Sequence, residues 1–216
     1  MNRASGGVAL PDGVTLAVQP IPPGASRPRQ RAAGRTAVLR AARAAPGAYG
    51  HDAAGAPTLS GPELRVSLSY GTSAAVAAVT DRRIQGLGVD VEDRPLPADA
   101  HRLVLSDAER GDWDGDLALL RWIRTVKEAG FKAFPDRRRC HGGIYWRVGV
   151  RRLEDRWSVH VGEERADVWG VWGDTAALAL AVRSQSRIVA PLPVDCPCID
   201  QRAGLRNDVS NQISQV

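Results

Sequence analysis

The run Gly88-Val89-Asp90-Val91-Glu92 constrains this chain more than any other stretch. Val89 and Val91 alternate with polar residues, the period of a β-strand, so Asp90 and Glu92 leave the backbone on one common face. Two carboxylates on one face call for a cation. A segment later, Leu117 to Phe134 reads as a helix. Within it, in Val126-Lys127-Glu128-Ala129-Gly130-Phe131-Lys132, Glu128 and Lys132 lie four residues apart and share a face. Three carboxylates and a lysine brought to one point describe a hard, oxygen-liganded site for a divalent metal, able also to hold a pyrophosphate.

The rest of the chain supplies a frame for these two elements. Gly13 to Pro20 reads as a strand broken by Pro22, Pro23 and Gly24. Gln30 to Ala45 reads as a helix rich in Ala and Arg, closed by Pro46 and Gly47, and Tyr49 to Glu63 as a loop. Strands are expected at Leu64 to Ser69 and Ala74 to Thr80, with a turn at Tyr70 to Ser73 and a polar link at Asp81 to Gly86. Leu103 to Trp113 reads as a helix with Ser106 at its N-cap and Glu109 three residues on, the capping-box pattern. Further strands are expected near Ile144 to Val150, Trp157 to Val161 and Ala176 to Val182. Both halves thus run strand, helix, paired strands. The expected fold class is α+β, two similar α/β lobes related by a pseudo-twofold, residues 8–86 and 87–190. They meet near Ala78 to Gly88, with the active site in the cleft between them. Residues 191–216 lose periodicity and gain Ser, Asn and Gln, the composition of a disordered tail.

Charge and composition narrow the partners. A 44% apolar content suffices for a packed core, and a net charge of +5 favours anionic partners. The arginines are not interleaved with aromatics and no nucleic-acid-binding signature is present, so nucleic acid is the minor reading. Met1 to Pro20 has no continuous apolar run and no window suits a membrane span, which places the chain in the cytoplasm. Cys140, Cys196 and Cys198 are too few and too oddly spaced for a disulfide framework, in keeping with a reducing compartment. The four histidines have no ligand spacing, and Trp146, Trp157, Trp169 and Trp172 read as core and rim packing.

Taken singly, each acid has an ordinary explanation: an exposed strand face for Asp90 and Glu92, a helix-surface pair for Glu128, a cap for Glu109. Their order along the chain is what carries information. With Gly55-Ala56-Pro57 and Ser67-Leu68-Ser69-Tyr70 upstream, the chain from about Arg35 to Val182 resembles the phosphopantetheinyl transferases, specifically the pseudo-dimeric Sfp-type group.

The resemblance implies a Mg2+-dependent enzyme, with Mn2+ as a possible substitute. It would move 4'-phosphopantetheine from coenzyme A to a serine of an acyl, peptidyl or polyketide carrier protein, a step of secondary metabolism, and work as a monomer. It implies Asp90, Glu92 and Glu128 as metal ligands. Glu109 is then the candidate base for the carrier serine, with Glu128 in reserve. Lys132 and Lys127 would contact phosphate oxygens and stabilise the departing 3',5'-ADP. Ser69 and Tyr70 would line the coenzyme A side, and Arg31 and Arg35 would grip its 3'-phosphate. The chain departs from the family pattern at Tyr70, where a His is usual, at Ala56, where a basic residue is common, and at Arg124, where an aromatic often stands. Two other readings follow from the same residues: a degenerate relative that binds coenzyme A or a carrier protein without turnover, and a metal-dependent phosphohydrolase.

Overall fold

The computed structural model of the chain describes residues 10–53, 55–60, 64–81, 84–111, 113–134, 148–153 and 156–184. They form a mixed α+β fold of three sheets and four helices. Strands β1 (Val14–Pro20), β5 (Ala74–Asp81) and β4 (Leu64–Tyr70) make an antiparallel sheet in the order β1-β5-β4. A second sheet has the order β6-β10-β9-β8-β7, from β6 (Ile84–Glu92), β7 (Gly149–Arg152), β8 (Trp157–Val161), β9 (Glu164–Trp172) and β10 (Ala177–Ser184). A small ribbon pairs β2 (Tyr49–His51) with β3 (Pro57–Leu59).

The alternation of apolar residues sorts these elements into layers. Ala77 and Val79 on one face of β5 pack under α1 (Arg27–Ala42), against Ala37, Val38 and Ala41. Ala74, Val76 and Ala78 on the other face meet Leu87, Val89 and Val91 of β6 and Leu180 and Val182 of β10. The far face of the second sheet, with Ala177, Ala179 and Ala181, packs on α4 (Leu117–Ala133) through Trp122, Val126, Ala129 and Ala133. The order is therefore helix, sheet, sheet, helix. Trp122 is buried and stacks on Trp172 at 4.7 Å, with Trp157 edge-on to both, so these indoles are core packing.

Glycine sets how close α4 comes to β6. Gly86 and Gly88 share the β6 face of Asp90 and Glu92, and a Cβ on either would overlap the carbonyl oxygen of Ala133 or Ala129 on α4. No side chain fits between strand and helix at those points. The acids further along the same face are thereby held against the same helix.

Several expected boundaries are corrected. The first helix is Arg27–Ala42 rather than Gln30 to Ala45: Arg43 turns left-handed at φ 51°, and Ala44 N–H bonds Leu39 O before Pro46 is reached. The expected helix Leu103 to Trp113 is two short ones, α2 (His101–Val104) and α3 (Asp107–Gly111). A helix cannot run through its own N-cap, and Leu105 is extended at ψ 136°. The loop expected at Tyr49 to Glu63 contains the β2–β3 ribbon, and β9 was not expected at all. The strand placed near Ile144 to Val150 begins at Gly149, and residues 144–147, like the tail 191–216, lie outside the described residues. No helix among the described residues is long and apolar enough to cross a membrane.

Candidate active site between β6 and α4

Asp90 and Glu92 point from the α4-facing side of β6 towards a stripe on α4 made of Arg124, Glu128 and Lys132, one residue per turn. Asp116 holds the start of that helix by accepting the amides of Ala118 at 2.8 Å and Leu119 at 3.2 Å. Lys132 Nζ donates to Asp90 Oδ1 at 2.7 Å and to Val89 O at 2.9 Å. Arg124 bridges the other two acids: Nη1 lies 2.8 Å from Glu92 Oε2 and Nε lies 3.4 Å from Glu128 Oε1. The other Glu92 oxygen accepts the Arg94 amide at 3.0 Å.

The first sheet closes the site from its other side. Leu64, Val66 and Leu68 of β4 face α1, so Ser67 and Ser69 face β6. Their hydroxyls accept the outward amides of that edge strand, Val89 N–H to Ser67 Oγ at 2.9 Å and Val91 N–H to Ser69 Oγ at 3.3 Å. Ser69 also donates to Asp90 Oδ1 at 2.7 Å. Tyr70, next along, turns back against Gly34 of α1 and is 36% exposed. Burial raises its phenol, Tyr49 adds to the rise, and Arg31 opposes it. Arg31 and Arg35 lie exposed on α1, and Arg35 Nη2 donates to Pro46 O at 2.5 Å.

Burial decides what each acid can do. Asp90 is nearly buried, and that burial raises its carboxyl. Lys132 opposes the rise, Glu128 adds to it, and the hydrogen bonds from Lys132 and Ser69 oppose it. An acid held in this way favours a nearby positive charge. Arg124, Glu128 and Lys132 keep 29%, 28% and 24% of their side-chain surface exposed, so the helix side of the site opens to solvent and can receive a ligand.

Two expected site residues stand elsewhere. Lys127 is fully buried on another face of α4, its Nζ bonded to Glu109 Oε2 at 2.5 Å and Val104 O at 2.8 Å. Burial lowers its ammonium, and Glu109 opposes the shift. Glu109 also accepts Ser106 N–H at 2.8 Å and Val150 N–H at 3.2 Å, and its own amide donates to Ser106 Oγ at 3.3 Å, closing the capping box. This pair fastens α3 and β7 to α4. Ser69, Asp90, Glu92, Glu128 and Lys132 are brought together, whereas Glu109 and Lys127 form a separate pair. The residue that sequence reasoning left out of the site is Arg124. Its signal was its position four residues before Glu128 on a helix already assigned.

Among the described residues, no three His, Cys, Asp or Glu side chains are grouped so as to hold a metal ion. The donor chemistry of Asp90, Glu92 and Glu128, carboxylate oxygen throughout, is the kind a hard divalent ion takes, and in this structure those oxygens are paired with Arg124 and Lys132. No protein-family model matches the chain, and no curated protein compared with it matches.

Proposed function

We propose that the chain is a phosphopantetheinyl transferase of the Sfp-type group, moving 4'-phosphopantetheine from coenzyme A to a carrier-protein serine and releasing 3',5'-ADP. The observation that carries this reading is the meeting of Asp90 and Glu92 from one strand with Glu128 and Lys132 from one helix. In the proposed architecture α1 with the β1-β5-β4 sheet is one lobe and α4 with the β6-β10-β9-β8-β7 sheet its pseudo-twofold counterpart. The serine joint between β4 and β6 is their seam. The protein would act as a cytoplasmic monomer on acyl, peptidyl or polyketide carriers.

Asp90, Glu92 and Glu128 would hold Mg2+ or Mn2+, which when bound supplies Lewis-acid polarisation of the pyrophosphate and offsets charge on the leaving nucleotide. Lys132, anchored by Val89 O, holds its amine beside the acids and would offer it to phosphate oxygens. Arg31 and Tyr70 extend the polar surface from Ser69 along α1, where the 3'-phosphate of coenzyme A would lie. The serine hydroxyl needs a base it can reach. Glu128 is the partly exposed acid of the cluster, while three donors engage both oxygens of Glu109, so the proton goes to Glu128 in this reading.

The reading is tested by following 3',5'-ADP release from coenzyme A and Mg2+ with and without apo carrier protein. Release only with carrier, and its loss in Glu128→Gln, is expected. Release without carrier would favour the phosphohydrolase. No release alongside measurable coenzyme A binding would favour the binding-only relative, for which Tyr70 and Ala56 are the motive.

A further inference from the structure

Arg124 holds an acid of β6 and an acid of α4 at once, Glu92 at 2.8 Å and Glu128 at 3.4 Å. These are two of the three side chains assigned to the metal. A guanidinium stays protonated at any pH the fold withstands, so it leaves the acids only by swinging away. With 29% of its side chain exposed and a flexible stem, that motion is open to it. We propose that Arg124 is a built-in counter-ion that competes with the divalent cation for Glu92 and Glu128, and so sets the metal concentration at which the site loads. The inference rests on the reading of Asp90, Glu92 and Glu128 as metal ligands.

The competition has a definite sign. With Arg124 in place the acids are fixed and screened before any ion arrives, and an incoming ion must displace two ion pairs. Without Arg124, three neighbouring carboxylates repel one another and gain more from the same ion. Lys132 holds the third acid, Asp90, at 2.7 Å and is tied also to Val89 O, so it opposes the ion alike in wild type and in the Arg124 variants and cancels from the comparison. Partly exposed ion pairs are individually weak, so removing both should tighten metal binding by about tenfold.

The test is a Mn2+ titration of the full chain, reading free ion by electron paramagnetic resonance. It uses wild type, Arg124→Gln, Arg124→Lys and Asp90→Asn, each checked for folding by circular dichroism. The expected result is one Mn2+ site, tighter in Arg124→Gln than in wild type by about tenfold, and lost in Asp90→Asn. Arg124→Lys, which keeps the charge but not the fork, should fall between wild type and Arg124→Gln and serves in its place if that variant does not fold. Equal or weaker binding in the Arg124 variants, still abolished by Asp90→Asn, would overturn the counter-ion role and leave the metal site standing. Binding absent from every variant, or indifferent to Asp90→Asn, would overturn the metal reading itself.

Discussion

Lys127 and Glu109 show how a single residue's burial separates structure from chemistry. A fully buried ammonium is tolerated because Glu109 and Val104 O satisfy it, so removing one partner strands a charge in the core. Lys127→Ala should therefore lower stability by about 3 kcal/mol in urea denaturation. Glu109→Gln should destabilise in the same assay while sparing transfer; a large loss of transfer at unchanged stability would return the base role to Glu109. His160 makes a second residue-scale prediction. Burial first, then Arg151 and Arg165, lower its imidazole from 6.5 to about 4, with Asp167 opposing. The unfolded chain takes up a proton near 6.5 that the folded chain refuses until about 4, so stability falls as pH drops through that window. Urea midpoints measured across it should fall towards acid, and less steeply in His160→Asn.

The β6–α4 pair is the element on which the site depends. A methyl group at Gly88 would strike the Ala129 carbonyl, part of a helix backbone that cannot rotate aside. Gly88→Ala should cost about 1–3 kcal/mol or more and push α4 off the strand, reducing metal and coenzyme A binding even though every acid is retained. Calorimetric titration beside thermal unfolding checks both parts. The two elements were legible in sequence because each has a clean period: Val89 and Val91 alternate with acids, and the apolar residues of Leu117 to Phe134 recur at helical spacing. β9 was not: Val168 and Trp172 pack on the α4 side while Trp169 packs on the other, so apolar residues fall on both faces and no alternation shows. The one local clue was Gly162, left-handed at φ 61°, which with Glu163 makes the two-residue turn between Val161 and Glu164. The ribbon of β2 and β3 escaped because three-residue strands carry too little pattern to separate from a Gly- and Pro-rich loop.

At the scale of the molecule, the two large sheets meet along edges that do not pair by backbone alone. Ser67 and Ser69 take the place of a neighbouring strand, accepting the Val89 and Val91 amides. Ser67→Ala would leave the Val89 amide without its acceptor, at about 1–3 kcal/mol, with the loss read in chemical denaturation. The partners of the acids were only half legible from sequence. Spacing puts Asp90 with Glu92 on one strand face and Arg124, Glu128 and Lys132 on one helix face, but no local pattern says that Lys127, one position from Glu128, turns into the core to meet Glu109, or which acids Arg124 holds. Those choices are made by what packs on each side of α4. The central claim concerns the whole assembly: that the β6–α4 stripe carries out phosphopantetheine transfer. Its most direct test is intact mass spectrometry of apo acyl, peptidyl and polyketide carrier proteins incubated with this chain, coenzyme A and Mg2+, beside an Asp90→Ala variant. A carrier mass raised by one phosphopantetheine group, dependent on both metal and Asp90, is the predicted result. Unmodified carriers throughout, or a gain undiminished by Asp90→Ala, would contradict it.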